Sequence, residues 1–375
     1  MKQFIDTSKK LMNLLGANDS VVMIGTDNQV VIHGVSGNSL DVLTTQPMAI
    51  DNEFNDFVSV IRVKTFKNAI SAMNVDNGIK FEVTDKLSVI NGKFKNAFQL
   101  ANDDDAIVNK SKKAKSNVAT SLTMNSKLLN DSLTRSEVSI AVADARYFLN
   151  GTLFDFKNKD LILVSTDGHR MTVEKVLRDL DANDAQYIVG RNTVKSLIAM
   201  TKKTDIDVTI DFNDNDTLTF TIDGITLSGG LVAGKFPDYT RVIPSALYSE
   251  FTHDVNELIE TFKLGTNNME SKFKTTKLHI VDNVLTIGTQ NTSKNDSEMS
   301  LDIEFKSLVG DDSMNTTRGN YNVDFIMDSL NLFKGKDVKF SFAKGHNSRP
   351  EFDNRTLVIS STDIDYKYVV MPMNG

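Results

Sequence analysis

One short stretch, Ser165–Arg170, brings together a hydroxyl, a carboxylate, an imidazole and a guanidinium. When a serine, a histidine and an aspartate meet in space, they form the triad of many hydrolases. Adjacent side chains of an extended strand point to opposite faces, however, and an Asp-Gly pair such as Asp167-Gly168 is typical of a turn. The pattern therefore favours a turn, and an enzyme that acts through His169 is kept as a minor alternative.

The composition excludes several other kinds of site. The chain of 375 residues contains no cysteine, which rules out disulfides, thiolate nucleophiles and cysteine-ligated metals. Its five histidines show neither a pair at i, i+4 spacing nor an HExxH motif. We therefore expect no metal site, no cofactor and no catalytic residue.

The net charge of the chain is -7. Binding to phosphates depends on clustered Lys and Arg, so this charge disfavours a protein covered with nucleic acid but leaves room for one basic face. The apolar runs are too short to cross a bilayer, and the first residues lack the features of a signal peptide. We expect a cytoplasmic protein that does not contact a membrane.

Six segments carry apolar residues at i, i+3 and i+4, the stripe of a helix with one buried face, although the third has one polar member. They are Leu11/Leu14/Leu15, Phe66/Ala69/Ile70, Asn125/Leu128/Leu129, Val194/Leu197/Ile198, Val255/Leu258/Ile259 and Val323/Ile326/Met327. One helix therefore recurs about every sixty residues. Every second helix recurs more regularly, since Phe66, Val194 and Val323 are 128 and 129 residues apart.

Between the helices the apolar pattern changes to period two, which predicts half-buried strands. Asn91-Gly92, Asp223-Gly224 and Asp282-Asn283 separate such runs and predict hairpins, so the sheets should be antiparallel. The sequence predicts an α+β fold of three similar domains, each with two helices packed on antiparallel sheets, at residues 1–116, 117–246 and 247–375. The linkers should lie at 109–116 and 244–249. An ordinary α+β protein with coincidental helix spacing is the alternative.

Five motifs occur in the second and third predicted domains: Arg146–Gly151, Ser165–Met171, Lys235–Tyr239 with Arg241-Val242, Tyr321–Val323 and Tyr368–Met373. They resemble motifs of the bacterial DNA sliding clamps, the beta subunits of DNA polymerase III. The resemblance extends from about Ser121 to the C-terminus and is weaker in the first domain. It implies a non-enzymatic processivity factor, in which a head-to-tail homodimer closes a six-domain ring around double-stranded DNA. The implied partners are the replicative polymerase, the clamp loader and other proteins with clamp-binding peptides.

The resemblance also implies a groove for a short peptide with hydrophobic anchors. Valine and methionine side chains suit aliphatic anchors, while Arg and Asn can bind peptide carbonyls. Two departures, Phe325 in place of the usual Tyr and the ending Asn374-Gly375, predict a changed peptide preference. The groove residues are Leu149, Thr166, Gly168, His169, Arg170, Met171, Pro237, Arg241, Val242, Asn322, Phe325, Val369, Val370, Met371, Pro372 and Met373.

Sequence-independent DNA binding needs cations on the helices that line such a ring. The candidate DNA-binding residues are Lys9, Lys10, Lys64, Lys67, Lys127, Phe148, Arg191, Lys195 and Lys202. For ring closure, the resemblance assigns Phe98 and Leu100 to one side of the dimer interface and Asn267 and Asn268 to the other. Because those two positions are usually apolar in the family, a clamp-like replication regulator that forms no functional ring remains the main alternative.

Overall fold

The computed structural model describes residues 2–16, 18–36, 41–74, 76–102, 105–111, 116–269, 275–289, 297–308, 316–343 and 355–373. Seven α-helices lie within these ranges: α1 (Lys2–Leu14), α2 (Val63–Ser71), α3 (Ala106–Ser111), α4 (Ser126–Glu137), α5 (Arg191–Thr201), α6 (Val255–Gly265) and α7 (Val323–Leu332). Two 3-10 helices cover Tyr147–Leu149 and Tyr239–Arg241. None of the described helices is long and apolar enough to span a bilayer.

The strands of the first half of the chain are β1 (Ser20–Thr26), β2 (Gln29–Val35), β3 (Val42–Thr45), β4 (Met48–Ala49), β5 (Phe57–Arg62), β6 (Ile79–Val83), β7 (Lys86–Asn91), β8 (Phe94–Gln99), β9 (Val118–Asn125), β10 (Gly151–Lys157), β11 (Asp160–Thr166), β12 (Arg170–Leu177) and β13 (Ala185–Gly190). Those of the second half are β14 (Asp207–Asn213), β15 (Thr217–Ile222), β16 (Ile225–Gly230), β17 (Leu247–Asp254), β18 (Thr275–Val281), β19 (Val284–Thr289), β20 (Glu298–Asp302), β21 (Lys306–Ser307), β22 (Thr316–Asn322), β23 (Asp337–Ala343), β24 (Leu357–Ser361) and β25 (Tyr366–Val370).

The chain forms two compact units. Unit 1 comprises Met1–Asp131 and Val189–Ala233, and unit 2 comprises Ser132–Ile188 and Gly234–Gly375. The predicted division into three domains at 116/117 and 246/247 stays a prediction.

Unit 1 contains a nine-stranded sheet and a three-stranded sheet. The order of the first is β5-β1-β2-β3-β16-β15-β14-β9, with β4 beside β2, and that of the second is β6-β7-β8. Neighbouring strands run antiparallel. Helix α1 packs against α2 and α5, and the buried faces of these helices include Leu11, Phe66 and Leu197.

Unit 2 contains a nine-stranded sheet in the order β13-β10-β11-β12-β25-β24-β23-β17-β21 and a four-stranded sheet in the order β20-β19-β18-β22. Helices α6 and α7 pack on each other. Their apolar stripes enter one core together with strand residues such as Phe251, Phe340 and Tyr321, all nearly or fully buried. The α+β class and the antiparallel pairing predicted from the sequence are confirmed.

The predicted hairpins form as expected. Asp223-Gly224 and Asp282-Asn283 both have positive φ at their two residues, the backbone that a two-residue hairpin turn of type I′ requires. Gly92 also has a positive φ, of 62°. Each pair joins antiparallel neighbours, so the turn residues fix the register of the flanking strands.

All six predicted helices are present, as α1, α2 and α4 to α7. The short helix α3 was not predicted, because its six residues are too few to show a periodic apolar stripe. The linker prediction at 109–116 is therefore wrong for Asn109–Ser111, which end α3, while residues 112–115 lie outside the described ranges. The linker prediction at 244–249 is wrong from Leu247 onward, where β17 begins.

Candidate partner-binding site

An apolar cavity of about 250 Å³ opens in unit 2, and we call it the anchor cavity. Nine of the sixteen predicted groove residues line it: Leu149, Thr166, Gly168, Arg170, Met171, Pro237, Val242, Val369 and Met371. Arg146, Phe236, Asp238 and Tyr239 complete the lining. These four were not among the predicted groove residues. They lie inside the motifs quoted above, and this position in the motifs could have indicated them.

The pairing of β12 with β25 brings the C-terminal segment to the cavity. Met171 lies opposite Val369 in this ladder, and Arg170 lies opposite Val370. Beyond the strand, the backbone N–H of Met371 donates to the carbonyl oxygen of His169 at 2.9 Å. Met171 and Val369 are buried, whereas Met371 is 39% exposed at the rim. Two distant parts of the chain therefore form one apolar wall.

A tight turn shapes the adjoining wall. The carboxylate of Asp167 accepts the backbone N–H groups of His169 and Arg170 at 2.9 and 3.0 Å, and Gly168 has φ of 92°. The hydroxyl of Thr166 accepts the N–H of Gly168 at 3.0 Å. The predicted Asp167-Gly168 turn is confirmed. Its carboxylate orders the backbone and leaves the His169 side chain exposed.

Ser165 points away from this turn into a buried hydroxyl cluster. Its Oγ lies 2.7 Å from Ser139 Oγ and 3.0 Å from Ser136 Oγ. Ser165 is fully buried, whereas His169 is exposed. Ser165 and His169 therefore do not form a pair of nucleophile and base. Within the described ranges, no cluster of three or more His, Asp or Glu side chains could hold a metal.

Arg170 joins the turn to α7 and β25. Its guanidinium donates to Asp328 Oδ2 at 2.6 Å and to the hydroxyl of Tyr368 at 3.1 Å, and its Nε donates to Asp167 Oδ2 at 3.0 Å. Burial acts to lower the pKa of Arg170, but contacts with Tyr368, Asp328 and Asp167 outweigh it and raise the pKa. The Phe325 ring lies under this cation, 4.3 Å from its centroid. A phenylalanine here therefore contributes a cation–π contact.

Arg146 closes another side of the cavity. Its guanidinium donates to Asp144 Oδ2 at 2.8 Å and to the carbonyl oxygen of Asp167 at 3.2 Å. The side-chain hydrogen bond from Arg146 lowers the pKa of Asp144 to about 2. The side chain of Asn150 also fixes Asp144 by binding its backbone N–H and carbonyl, both at 2.9 Å. The cation is thus held in place at the rim.

The segment from Phe236 to Val242 crosses beside the cavity and is fastened by Tyr239. The hydroxyl of Tyr239 donates to Asp155 Oδ2 at 2.7 Å, and Gln186 donates to Asp155 Oδ1 at 3.0 Å. Burial raises the pKa of Tyr239. Phe236 is buried, while Val242 is 43% exposed. The segment therefore supplies both a fixed wall and an accessible apolar rim.

The other seven predicted groove residues do not line the anchor cavity. Asn322 caps α7, since its side chain accepts the N–H of Asp324 at 2.9 Å, and Phe325 lies under Arg170. Val370 is buried, and Arg241 is exposed and paired with Asp238. His169 is exposed, Pro372 and Met373 are half-buried, and residues 374–375 lie outside the described ranges.

The eight candidate DNA-binding cations all belong to unit 1. Lys9 and Lys10 lie on α1, Lys64 and Lys67 on α2, Lys127 on α4, Arg191 and Lys195 on α5, and Lys202 at the end of α5. Helix α2 packs on α1, and α1 packs on α5. Asn130 of α4 donates to the Ile198 carbonyl of α5 at 2.7 Å. The four helices therefore form a continuous row.

Two of these cations are already neutralised, because Lys10 pairs with Asp223 at 2.9 Å and Lys127 with Asp131 at 2.7 Å. In the described part of the chain, four exposed lysines of the set form no ion pair: Lys9, Lys64, Lys67 and Lys202. Lys9 and Lys67 line one shallow groove between α1 and α2. Phe148 belongs to unit 2 and packs edge-on against Tyr147, with ring centroids 5.8 Å apart.

The residues expected at a dimer interface differ in accessibility. Phe98 is buried and contacts the Phe66 ring at 6.4 Å, whereas Leu100 is 37% exposed. Asn267 and Asn268 follow α6 and are exposed. Nearby in unit 2, Leu264 and Met299 are exposed apolar residues on α6 and β20, which pack together.

Comparisons with known proteins agree with this architecture. A family model of the central domain of the DNA polymerase III beta subunit matches residues 123–238. The beta sliding clamp of Vibrio cholerae is 28% identical over 239 residues, which are 64% of this chain and 61% of that protein. The beta sliding clamp of Escherichia coli K12 is 27% identical over 238 residues, with the same shares. The matched part thus spans less than two thirds of these relatives.

Solved structures match over nearly the whole chain. The DNA polymerase III beta subunit of Pseudomonas aeruginosa has a TM-score of 0.85 at 20% identity, over 99% of this chain and 98% of that one. The beta subunit of Thermotoga maritima has a TM-score of 0.82 at 15% identity, over 100% and 97%. The predicted clamp fold is confirmed. Motifs, central domain and fold together identify the chain as a divergent relative of the bacterial sliding clamps, the beta subunits of DNA polymerase III.

Proposed function

We propose that the chain is a processivity factor, a sliding clamp that encircles double-stranded DNA without reading its sequence. As a homodimeric ring it tethers the replicative DNA polymerase, the clamp loader and other proteins with clamp-binding peptides. It catalyses no reaction itself and works in the cytoplasm. The observation that carries the proposal is the anchor cavity, where nine residues chosen from the motifs meet although they come from four separate stretches of the chain.

The chemistry of the anchor cavity suits a short peptide. Its floor of buried Leu149, Met171 and Val369 accepts an aliphatic side chain, and the exposed rim residues Val242 and Met371 can close over it. Methionine adapts its shape to different anchors, so one site can serve several partners. The fixed guanidinium of Arg146 is available for peptide carbonyls beside the apolar floor.

A valine pair offers a matched test of peptide binding. Val242 lines the cavity and is 43% exposed, while Val142 is 74% exposed and does not line it. Val242→Asp should weaken binding of a labelled peptide with two leucine anchors at least about tenfold, because an aspartate must lose its hydration on binding. Val142→Asp should leave the affinity within about twofold. Equal effects of both substitutions would overturn the assignment of this cavity.

The row α2-α1-α5-α4 in unit 1 supports a DNA-facing surface. Exposed lysines without ion partners can bind phosphates through mobile contacts that carry no base specificity. The contacts should be weak and salt-sensitive, which suits sliding. Replacing Lys9, Lys64 and Lys67 by Gln should reduce the affinity for duplex DNA. The number of counterions released on binding, taken from the slope of the logarithm of the affinity against the logarithm of the salt concentration, should fall by up to about three. The Lys159→Gln/Lys235→Gln/Lys277→Gln variant removes equal charge from exposed positions of unit 2 that lie outside the helices, and it serves as the control.

Two open sheet edges support ring closure between copies. Within the described ranges β8 pairs with β7 alone, and β20 pairs with β19 alone. At the end of β8, the hydroxyl of Ser59 also donates to the carbonyl oxygen of Gln99. The β20 edge carries Glu298 and Asp302, whereas Lys95 on the β8 edge already pairs with Glu82 at 3.0 Å. Leu100 and Met299 are exposed apolar residues at these edges. Open strand edges invite strand pairing, and a head-to-tail contact that closes makes a ring.

A clamp-like regulator that forms no functional ring is the second candidate. The exposed side chains of Asn267 and Asn268 favour it, because they put amides where the family resemblance expects apolar contacts. Gel filtration with light scattering separates the two candidates. A dimer at micromolar concentration supports the clamp, and a stable monomer supports the regulator.

A further inference from the structure

A second cavity of about 350 Å³ lies beside the anchor cavity in unit 2. Three lysines line it, Lys157 from β10, Lys175 from β12 and Lys367 from β25, and we call it the lysine cavity. Tyr239 lines both cavities, so the two share this residue as part of their walls. A ligand that fills the anchor cavity and continues past Tyr239 therefore meets the lysines.

The charges in the lysine cavity are unevenly satisfied. Lys175 pairs with Asp160 at 2.6 Å, and the other lining carboxylate, Asp365, pairs with Arg178 at 2.8 Å. Lys157 and Lys367 are exposed and form no ion pair with any residue that the structure describes. Both acidic groups of the lining are thus already neutralised, whereas two cations are not. The cavity is complementary to one additional carboxylate.

The floor between these lysines is partly apolar. Ile162, Val173 and Ile243 are half-buried lining residues. A floor of this kind accommodates the methylene groups of a long acidic side chain while its carboxylate reaches the ammonium groups at the rim. The phosphates of a nucleic acid are joined by polar sugars and carry no long apolar stem, and the candidate DNA-binding lysines lie on the helices of unit 1. The lining therefore favours an acidic peptide over nucleic acid.

We propose that the lysine cavity receives an acidic side chain, most suitably glutamate, from the same partner peptide whose apolar side chains fill the anchor cavity. This inference rests on the proposed peptide-binding function and adds the chemical class of the residue next to the anchors. Lys157 and Lys367 are then specificity-determining residues, and Tyr239 sets the spacing between the apolar anchor and the acidic side chain.

The test uses three labelled synthetic decapeptides with two leucine anchors. One carries a glutamate before the anchors, one carries it after them, and the third has glutamine at both places. Fluorescence anisotropy measures their affinities for the full chain and for its Lys157→Gln/Lys367→Gln variant. Lys263→Gln/Lys334→Gln removes the same charge from exposed positions of unit 2 outside both cavities and is the matched control.

We expect one glutamate peptide to bind the unchanged chain about 3- to 10-fold more tightly than the glutamine peptide, as two exposed ion pairs allow. The Lys157→Gln/Lys367→Gln variant should lose that preference, the control should keep it, and 1 M salt should abolish it. Equal affinities of all three peptides, or equal loss for all three in the variant, would overturn the inference. So would a loss of duplex DNA binding in the variant without a change in peptide preference.

Failure of the inference can be told from failure of the proposed function. If all three peptides bind equally and Val242→Asp abolishes their binding, the anchor cavity stands and only the acidic preference is wrong. If none of the peptides binds, both proposals are wrong.

Discussion

The hydrogen bond between Tyr239 and Asp155 should stabilise the wall shared by the two cavities, and Tyr239→Phe removes it by deleting one atom. Both residues are buried, at 7% and 2% exposure, and the oxygens lie 2.7 Å apart. A buried hydrogen bond to a carboxylate contributes about 1.5–3 kcal/mol, since its loss leaves an acceptor without one partner. We therefore expect Tyr239→Phe to lower the free energy of unfolding by that amount.

Urea unfolding followed by circular dichroism measures this change. Tyr147→Phe is the matched control, because Tyr147 is 56% exposed and its hydroxyl can bind water. The control should change the free energy of unfolding by less than about 0.5 kcal/mol. In a double-mutant cycle with Asp155→Asn, the effect of Tyr239→Phe should shrink. Equal small losses in Tyr239→Phe and Tyr147→Phe would refute this account of the wall.

Three further predictions concern other parts of the chain. Gly229→Ala should destabilise unit 1 by about 1–3 kcal/mol in urea unfolding, because its Cβ would lie 2.6 Å from Thr193 Cγ2, whereas Gly190→Ala meets nothing nearer than 3.5 Å and should be nearly neutral. Burial raises the pKa of the phenols of Tyr239, Tyr366 and Tyr368 in the folded chain. The folded state should therefore lose stability above pH 10, where these phenols ionise only after unfolding. Thermal melts at pH 9 and pH 11 test this. Leu100→Lys should weaken self-association at least about tenfold in light scattering, while Val118→Lys, also at an exposed apolar residue, should not.

The helices and hairpins could be predicted from sequence because their signals are local. Phe66, Ala69 and Ile70 lie on one face of any helix, and Asp223-Gly224 adopts its turn through its own backbone preferences. Helix α3 was not predicted, since six residues are too few to show a period. The linker predicted at 109–116 overlaps the end of this helix, because a basic composition does not prevent a short helix from forming.

The anchor cavity could be predicted only in part. Motif matches indicated Leu149, Met171 and Val369, but the sequence does not say that β12 and β25 are neighbours across almost two hundred residues. That pairing depends on tertiary packing. The roles of Asn322 as a helix cap and of Phe325 under Arg170 are likewise invisible in sequence, because each depends on which groups the fold brings near.

Topological linkage to DNA is the most direct test of a sliding clamp. The chain is loaded onto a nicked circular duplex with a clamp loader and ATP, and gel filtration then separates bound from free protein before and after the circle is linearised. We predict that the protein stays with the circle in moderate salt and is released once the duplex has free ends. The ionic contacts are too weak to retain the protein by themselves, so only a closed ring around a closed circle keeps it bound. Protein that remains equally bound to the circular and the linear duplex would contradict the account.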